Sequence, residues 1–196
     1  MRLDNDNYPT PQSYAEYGMN AAIDILGKKN NLIVFEPGCG DYIPYLKAID
    51  KKRCKVRYGV DIREAIDPGK LPDGLEDAVI EDGLDYLSVD DKYLLSKMNG
   101  KADIILTNPP YLLAQEFVTK SLGLLSKNGV AGFLLKLDFL GSIGRMDFFQ
   151  STPLHSVHVS GRRPSFINNA TDAHNYGYFF WKNNYLEDPK ISWFLV

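Results

Sequence analysis

The sequence predicts an α/β protein, a mostly parallel β-sheet with helices on both faces. Three observations carry that reading. Short apolar runs bounded by Gly, Pro, Asp and Asn alternate with longer stretches of helical character, the pattern of strand–helix–strand units. No fixed-period repeat, low-complexity segment or Gly/Ser- or Pro-rich linker divides the 196 residues. One domain over 1–196, with no separate target-recognition domain, is therefore expected. Hydrophobic residues at 44% and charged residues at 24% exclude a disordered or collagen-like chain.

The elements follow in order. A first helix is expected over 12–26, with Tyr14 and Tyr17 as packing residues. Apolar runs at 32–36, 56–61, 78–81, 103–107 and 130–136 read as the first five strands. Helices fill 43–49, 91–98 and 112–126. In the last, Leu112, Phe117, Val118, Leu122, Leu124 and Leu125 share a broad apolar stripe, and Asn128-Gly129 marks a C-terminal stop. Beyond residue 150 two strand-like runs, 154–159 and 176–182, flank a polar loop at 161–175 and read as a hairpin-like edge, with Phe180 and Trp181 in the sheet core.

Charge and cysteine content narrow the function classes. The net charge of −3 argues against nonspecific coating of nucleic acid, yet residues 120–182 carry seven Lys/Arg against three Asp/Glu. A locally basic face on an acidic body is consistent with both. Cys39 and Cys54 form no CxxC pair, so neither a metal site nor a disulfide framework is expected. His155 and His158 sit at an odd spacing that a regular strand sends to opposite faces, which also argues against a metal. No apolar stretch approaches the ~20 residues of a membrane span, and the N-terminus is too polar for a secretory signal. A cytoplasmic protein with no membrane partner is expected.

Four strand ends carry the chemistry. After the first, Glu36-Pro37-Gly38-Cys39-Gly40 offers a tight turn that a ligand can approach closely. Ile43 stands where a dinucleotide fingerprint needs a small residue, which disfavours a nicotinamide cofactor. After the second, Asp61 can accept both hydroxyl hydrogens of a ribose. After the third, Asp82 can meet an adenine amine or simply face solvent. After the fourth comes Asn108-Pro109-Pro110-Tyr111. Proline fixes its own φ and restricts the residue before it, so this loop is stiff. Such a loop can aim the Asn108 side-chain oxygen and the Pro109 carbonyl at one point beside the Tyr111 ring, an arrangement suited to a planar amine.

In this order, Glu36-Pro37-Gly38-Cys39-Gly40, Asp61, Asp82 and Asn108-Pro109-Pro110-Tyr111 resemble the S-adenosylmethionine-dependent amino-methyltransferases, especially the DNA adenine-N6 type. Tyr8-Pro9-Thr10-Pro11 resembles the N-terminal cofactor-contacting motif of such enzymes. Arg162-Arg163-Pro164-Ser165-Phe166, Thr171-Asp172 and Tyr178-Phe179-Phe180-Trp181 look like small methyltransferase-like proteins of phages and prophages. The resemblance implies a Rossmann-like class I methyltransferase fold, seven-stranded and mostly parallel with an antiparallel last strand. It implies S-adenosylmethionine as cofactor, contacted by Tyr8, Thr10, Pro11, Glu36, Pro37, Gly38, Gly40, Asp61, Ile62, Asp82, Gly83 and Asn108. Asn108, Pro109, Pro110 and Tyr111 would hold the target base. Tyr42 departs from the pattern, since many relatives have glycine there.

The expected partner is DNA, with Arg162 and Arg163 either phosphate contacts or part of a solvated loop, and with target selection supplied by short insertions such as 141–153 and 161–175, by a homodimer mate or by a second protein. Three alternatives stay open. The same four-residue motif serves RNA methyltransferases and release-factor glutamine methyltransferases, although the latter bring a helical domain ahead of the first strand. A noncatalytic phage binding protein could also retain the fold.

Overall fold

The apolar runs become the parallel part of one mixed sheet. In the computed structural model, residues 9–28, 30–64, 71–167, 170–171 and 173–196 are described. The chain runs α1 (Gln12–Leu26), β1 (Leu32–Pro37), α2 (Pro44–Lys47), β2 (Cys54–Val60), β3 (Val79–Glu81), α3 (Asp91–Lys97), β4 (Ala102–Thr107), α4 (Ala114–Leu124) and β5 (Leu125–Lys136). It continues through α5 (Met146–Ser151), β6 (Leu154–Ser160), a small ribbon of β7 (Ser165–Ile167) and β8 (Ala170–Thr171), then β9 (Tyr176–Lys182) and β10 (Lys190–Phe194). The large sheet has the order β10-β6-β9-β5-β4-β1-β2-β3. Within it β9 alone runs antiparallel, paired on one side with β5 and on the other with β6.

Every residue of β1 is buried, which is why it reads as a continuous apolar run rather than an alternating one. Leu32 and Val34 face one layer with Met19, Ile23 and Leu46 from α1 and α2. Ile33 and Phe35 face the other with Phe117 and Val118 of α4 and Leu94 of α3. Ala15, Met19, Ala22 and Ile23 form the buried stripe of α1. That helix ends on Gly27, left-handed at φ 76°, whose N–H donates to the Ile23 carbonyl.

Several expectations need correction. The sheet has eight strands, not seven, and its edge is β10, whose alternating Lys-Ile-Ser-Trp-Phe run the sequence reading missed. The runs at 154–159 and 176–182 do pair antiparallel, but β9 lies inside the sheet. Asn128-Gly129 does not stop a helix. α4 ends at Leu124, and Gly129 lies in an irregular stretch of β5 where an added Cβ would come 2.9 Å from the Ala102 carbonyl oxygen. Leu112 is 76% exposed and lies outside the stripe. The register of β6 shifts between Leu154 and Ser156, and both His155 and His158 hydrogen-bond to the Ser156 hydroxyl, at 3.0 Å each. The irregularity between Leu154 and Ser156 breaks the pleat, so the odd spacing does not send the two histidines to opposite faces. No described helix is long and apolar enough to cross a membrane.

Gly132 sits between Leu106 on β4 and Phe180 on β9, and those two side chains close over it. An added Cβ would meet each at 2.5 Å. Gly132→Ala should therefore destabilise the fold by about 1–3 kcal/mol, read as a lower urea midpoint at unchanged slope.

Candidate functional site

The carboxyl ends of β1, β2 and β4 and the segment after β3 converge on one pocket. β1 lies between β2 and β4, where the strand order reverses, the place where open α/β sheets bind ligands. With its open mouth included, the pocket spans about 880 Å³ of empty space.

Its first wall is the turn after β1. Gly38 and Gly40 have φ of 70° and 60°, and Ile43 is also left-handed at 46° just before α2. The N–H groups of Gly38 and Cys39 both donate to the Val60 carbonyl, at 2.7 and 3.1 Å, which stitches this turn to β2. An added Cβ on Gly38 would meet nothing closer than 3.8 Å, so its backbone lies bare, but the positive φ strains any other residue. Glu36 is buried beneath and accepts a 2.9 Å hydrogen bond from the Leu46 N–H. Burial pushes its carboxyl well above the ordinary 4.5, and the Leu46 and Tyr45 N–H groups oppose that shift.

Asp61 ties the second wall together. Its N–H donates to the Glu81 carbonyl at 3.0 Å, and its own carbonyl accepts from Leu84 N–H at 2.9 Å. Its side-chain Oδ2 accepts from Gly40 N–H at 2.7 Å, while Oδ1 accepts from both the N–H and Nε of Arg63 at 3.0 Å. Arg63 also pairs with Asp41 at 3.4 Å. A carboxylate oxygen has two lone pairs, so Oδ1 is filled and Oδ2 keeps one acceptor site.

The third wall comes from β4. The Thr107 hydroxyl donates to the Pro37 carbonyl at 2.5 Å and locks the ends of β4 and β1 together. Asn108 and Pro110 line the pocket beyond it, with Leu113 and with Phe117 from α4. The Pro110 carbonyl accepts from Leu113 N–H at 2.9 Å, turning the chain into a short 3₁₀ segment that leads to α4.

Of the sequence-predicted residues, the pocket brings together Thr10, Glu36, Gly38, Gly40, Asp61, Ile62, Asn108 and Pro110. Pro11 instead caps α1, accepting from the N–H groups of Tyr14 and Ala15. Pro37, Asp82, Gly83 and Pro109 do not line the pocket. Neither does Tyr111, whose ring lies 5.8 Å from that of Tyr176 with Lys136 Nζ 5.0 Å from its centroid. Tyr8 lies outside the described residues. Arg162 and Arg163 are exposed on the segment after β6, away from the pocket wall, with the Arg162 carbonyl accepting from the Tyr14 hydroxyl at 2.8 Å. Tyr42 is exposed at the rim. Sequence reasoning missed Arg63, Tyr45, Asp85 and Phe117. The first had a signal, since residues two apart in extended chain share a side and Asp61-x-Arg63 has that spacing. No cluster of metal-ligating residues occurs among the described residues.

A carboxyl whose folded value lies above its unfolded one binds its proton more tightly when folded. The contribution of Glu36 is therefore complete below 4.5 and is lost as pH rises through the folded value. Glu36→Gln keeps an acceptor for Leu46 N–H but no titration. Its stability relative to the parent should rise as pH climbs above 4.5 and through the raised folded value in urea unfolding, and a pH-independent difference contradicts the assignment.

A scan against protein-family models and a search of curated protein sequences return no match. Solved structures do match. A Listeria monocytogenes protein described as a class I S-adenosylmethionine-dependent methyltransferase aligns with TM-score 0.68 and 14% identity, over 100% of this chain and 67% of its own. A Lactococcus lactis protein named as a hemolysin aligns with TM-score 0.64 and 10% identity, over 93% of each chain. A modification subunit of a type I restriction enzyme from Vibrio vulnificus aligns with TM-score 0.63 and 16% identity, over 97% of this chain but 47% of its own. At such identities the likeness is one of fold. The chain has the Rossmann-like class I methyltransferase fold, with an eighth strand at the sheet edge.

Proposed function

We propose that this chain is an S-adenosylmethionine-dependent methyltransferase acting on the exocyclic N6 amine of adenine in DNA. One observation carries the reading: Glu36, Gly38 and Asp61 of the cofactor pattern border a single pocket with Asn108 and Pro110 of the Asn-Pro-Pro-Tyr loop. The donor set suits the cofactor. Bare backbone at Gly38 admits close approach, the remaining Oδ2 lone pair of Asp61 can take a ribose hydroxyl, and Asp85 offers a carboxylate after β3 where Asp82 was expected. The likeness to a restriction-modification subunit adds support for a DNA substrate.

When bound, the cofactor supplies an activated sulfonium methyl. Adenine N6 is a poor nucleophile because its lone pair is delocalised into the ring, so holding it in line is most of the task. The Asn108 carboxamide oxygen would accept a hydrogen bond from the amine and disperse the positive charge developing there. Phe117 and Leu113 would keep water from that end of the pocket. Tyr111 would turn from Tyr176 and Lys136 to stack on an extruded base, at a scale of about 1–3 kcal/mol. A homodimer mate or a second protein would complete target selection.

A second reading, a noncatalytic binding protein, draws on Asp61, whose Oδ1 is already filled by Arg63. Methyl transfer separates the two. With tritiated methyl donor and pools of DNA, RNA and protein, label is expected in N6-methyldeoxyadenosine. Label confined to RNA or protein overturns the DNA assignment, and label nowhere favours the noncatalytic reading. Asn108→Ala should keep cofactor affinity within about threefold while lowering transfer by about 100-fold or more. Replacing Arg162 and Arg163 together by alanine should reduce the salt slope of DNA binding by about 2, and an unchanged slope removes them from the phosphate contacts.

A further inference from the structure

The far edge of the sheet carries a feature that the pocket does not use. β10 is the terminal strand, and among the described residues no strand lies on its outer side. The opposite edge, β3, is only three residues long, a common way of blunting an edge, whereas β10 has five residues and Lys190 is their only charge. Ile191, Trp193 and Leu195 are 61%, 72% and 64% exposed.

These three residues share more than exposure. The Phe194 carbonyl accepts from Gly161 N–H at 2.8 Å and therefore points toward the β6 side. Backbone direction alternates along a strand, so the N–H and C=O groups of Ile191 and Trp193 point outward, and the same alternation carried one residue past β10 would turn those of Leu195 outward too. Their side chains share one face, that of Val157 and Val159, with which Ile191 and Trp193 are in register. Val157 and Val159 belong to the layer that holds Phe148 and Phe149 of α5. An apolar groove lined by Leu140, Ile143, Met146, Phe149, Leu154 and Pro189 opens beside them, and Ile143 is 94% exposed.

We propose that β10 is a homodimerisation edge, pairing antiparallel with β10 of a second copy about a two-fold axis at Trp193. Ile191 then faces the partner's Leu195, Trp193 faces the partner's Trp193, and Leu195 faces the partner's Ile191. All three outward-pointing residues of each copy become hydrogen-bonded pairs, and Pro189, which lacks an N–H, falls just outside the ladder. A two-fold axis perpendicular to the sheet keeps the six apolar side chains on one face, and it brings the partner's Leu195 to the mouth of the groove beside Pro189. Leu140, Ile143, Met146, Ile191, Trp193 and Leu195 expose roughly 700 Å² per copy, the most that pairing could draw from these residues, against the ~800 Å² per partner of a standard interface.

Light scattering coupled to size exclusion is expected to give twice the 22.1 kDa chain mass at micromolar concentration. Trp193→Glu places like charges across the axis and should give the monomer mass with unchanged circular dichroism. Residues opposed in a hydrogen-bonded antiparallel pair have Cα atoms about 5.5 Å apart, within disulfide range. Oxidised Trp193→Cys should therefore cross-link to a dimer, and Lys190→Cys should not. A parent protein that stays monomeric at about 100 µM, or a Trp193→Glu variant that stays dimeric, overturns the proposal. Failure of Trp193→Cys to cross-link overturns the register.

Discussion

The hydrogen-bond set of Asp61 holds the pocket in shape. Its main chain joins β2 to the Glu81 end of β3 and to Leu84, and its carboxylate reaches back to Gly40 and forward to Arg63. One residue thus fixes the glycine turn, the loop after β2 and the segment after β3 relative to one another. Glu36 from below and Thr107 from β4 extend this bracing to α2 and to the Asn108 loop. The turn is ordered by the protein's own contacts, so ligand binding need not supply the entropy of ordering it. The same contacts have a cost for binding: the carboxylate suited to a ribose already serves the chain, and Arg63 must share it or move.

Charge is divided in a way that fits the proposed chemistry. Asp61 and Asp85 outnumber Arg63 around the pocket, which suits a cationic sulfonium ligand. Lys136 instead ends β5, Arg162 and Arg163 follow β6, and all three contribute to the local basic excess of residues 120–182. A net acidic protein can therefore present cations where a phosphate backbone would pass without coating itself in nucleic acid.

Much of this was legible in the sequence. β1, β4 and β9 are buried on both faces, so they stand out as apolar runs, and β9 matches the 176–182 reading at both ends. Strand-end positions of Gly38, Asp61 and Asn108 follow from the runs that form β1, β2 and β4. What failed depended on tertiary contacts. Asn128-Gly129 has the chemistry of a helix stop, but the close approach of the Ala102 carbonyl makes it part of an irregular strand. In Asp82-Gly83-Leu84-Asp85 two acidic residues flank the left-handed Gly83, and local sequence does not say which one the turn delivers to the pocket. Tyr111 was placed in the site by its motif, whereas its ring packs beside Tyr176 and Lys136. β10 escaped notice because polar Lys190 and Ser192 interrupt its apolar residues, leaving little apolar run to detect.

The central claim is that the pocket braced by Asp61 is an S-adenosylmethionine site. Calorimetric titration of the protein with that cofactor tests it most directly. Saturable binding of one ligand per chain is expected, with a dissociation constant of about 1–100 µM, corresponding to about −8 to −5.5 kcal/mol. Absence of binding heat with millimolar ligand, confirmed at a second temperature, would contradict it.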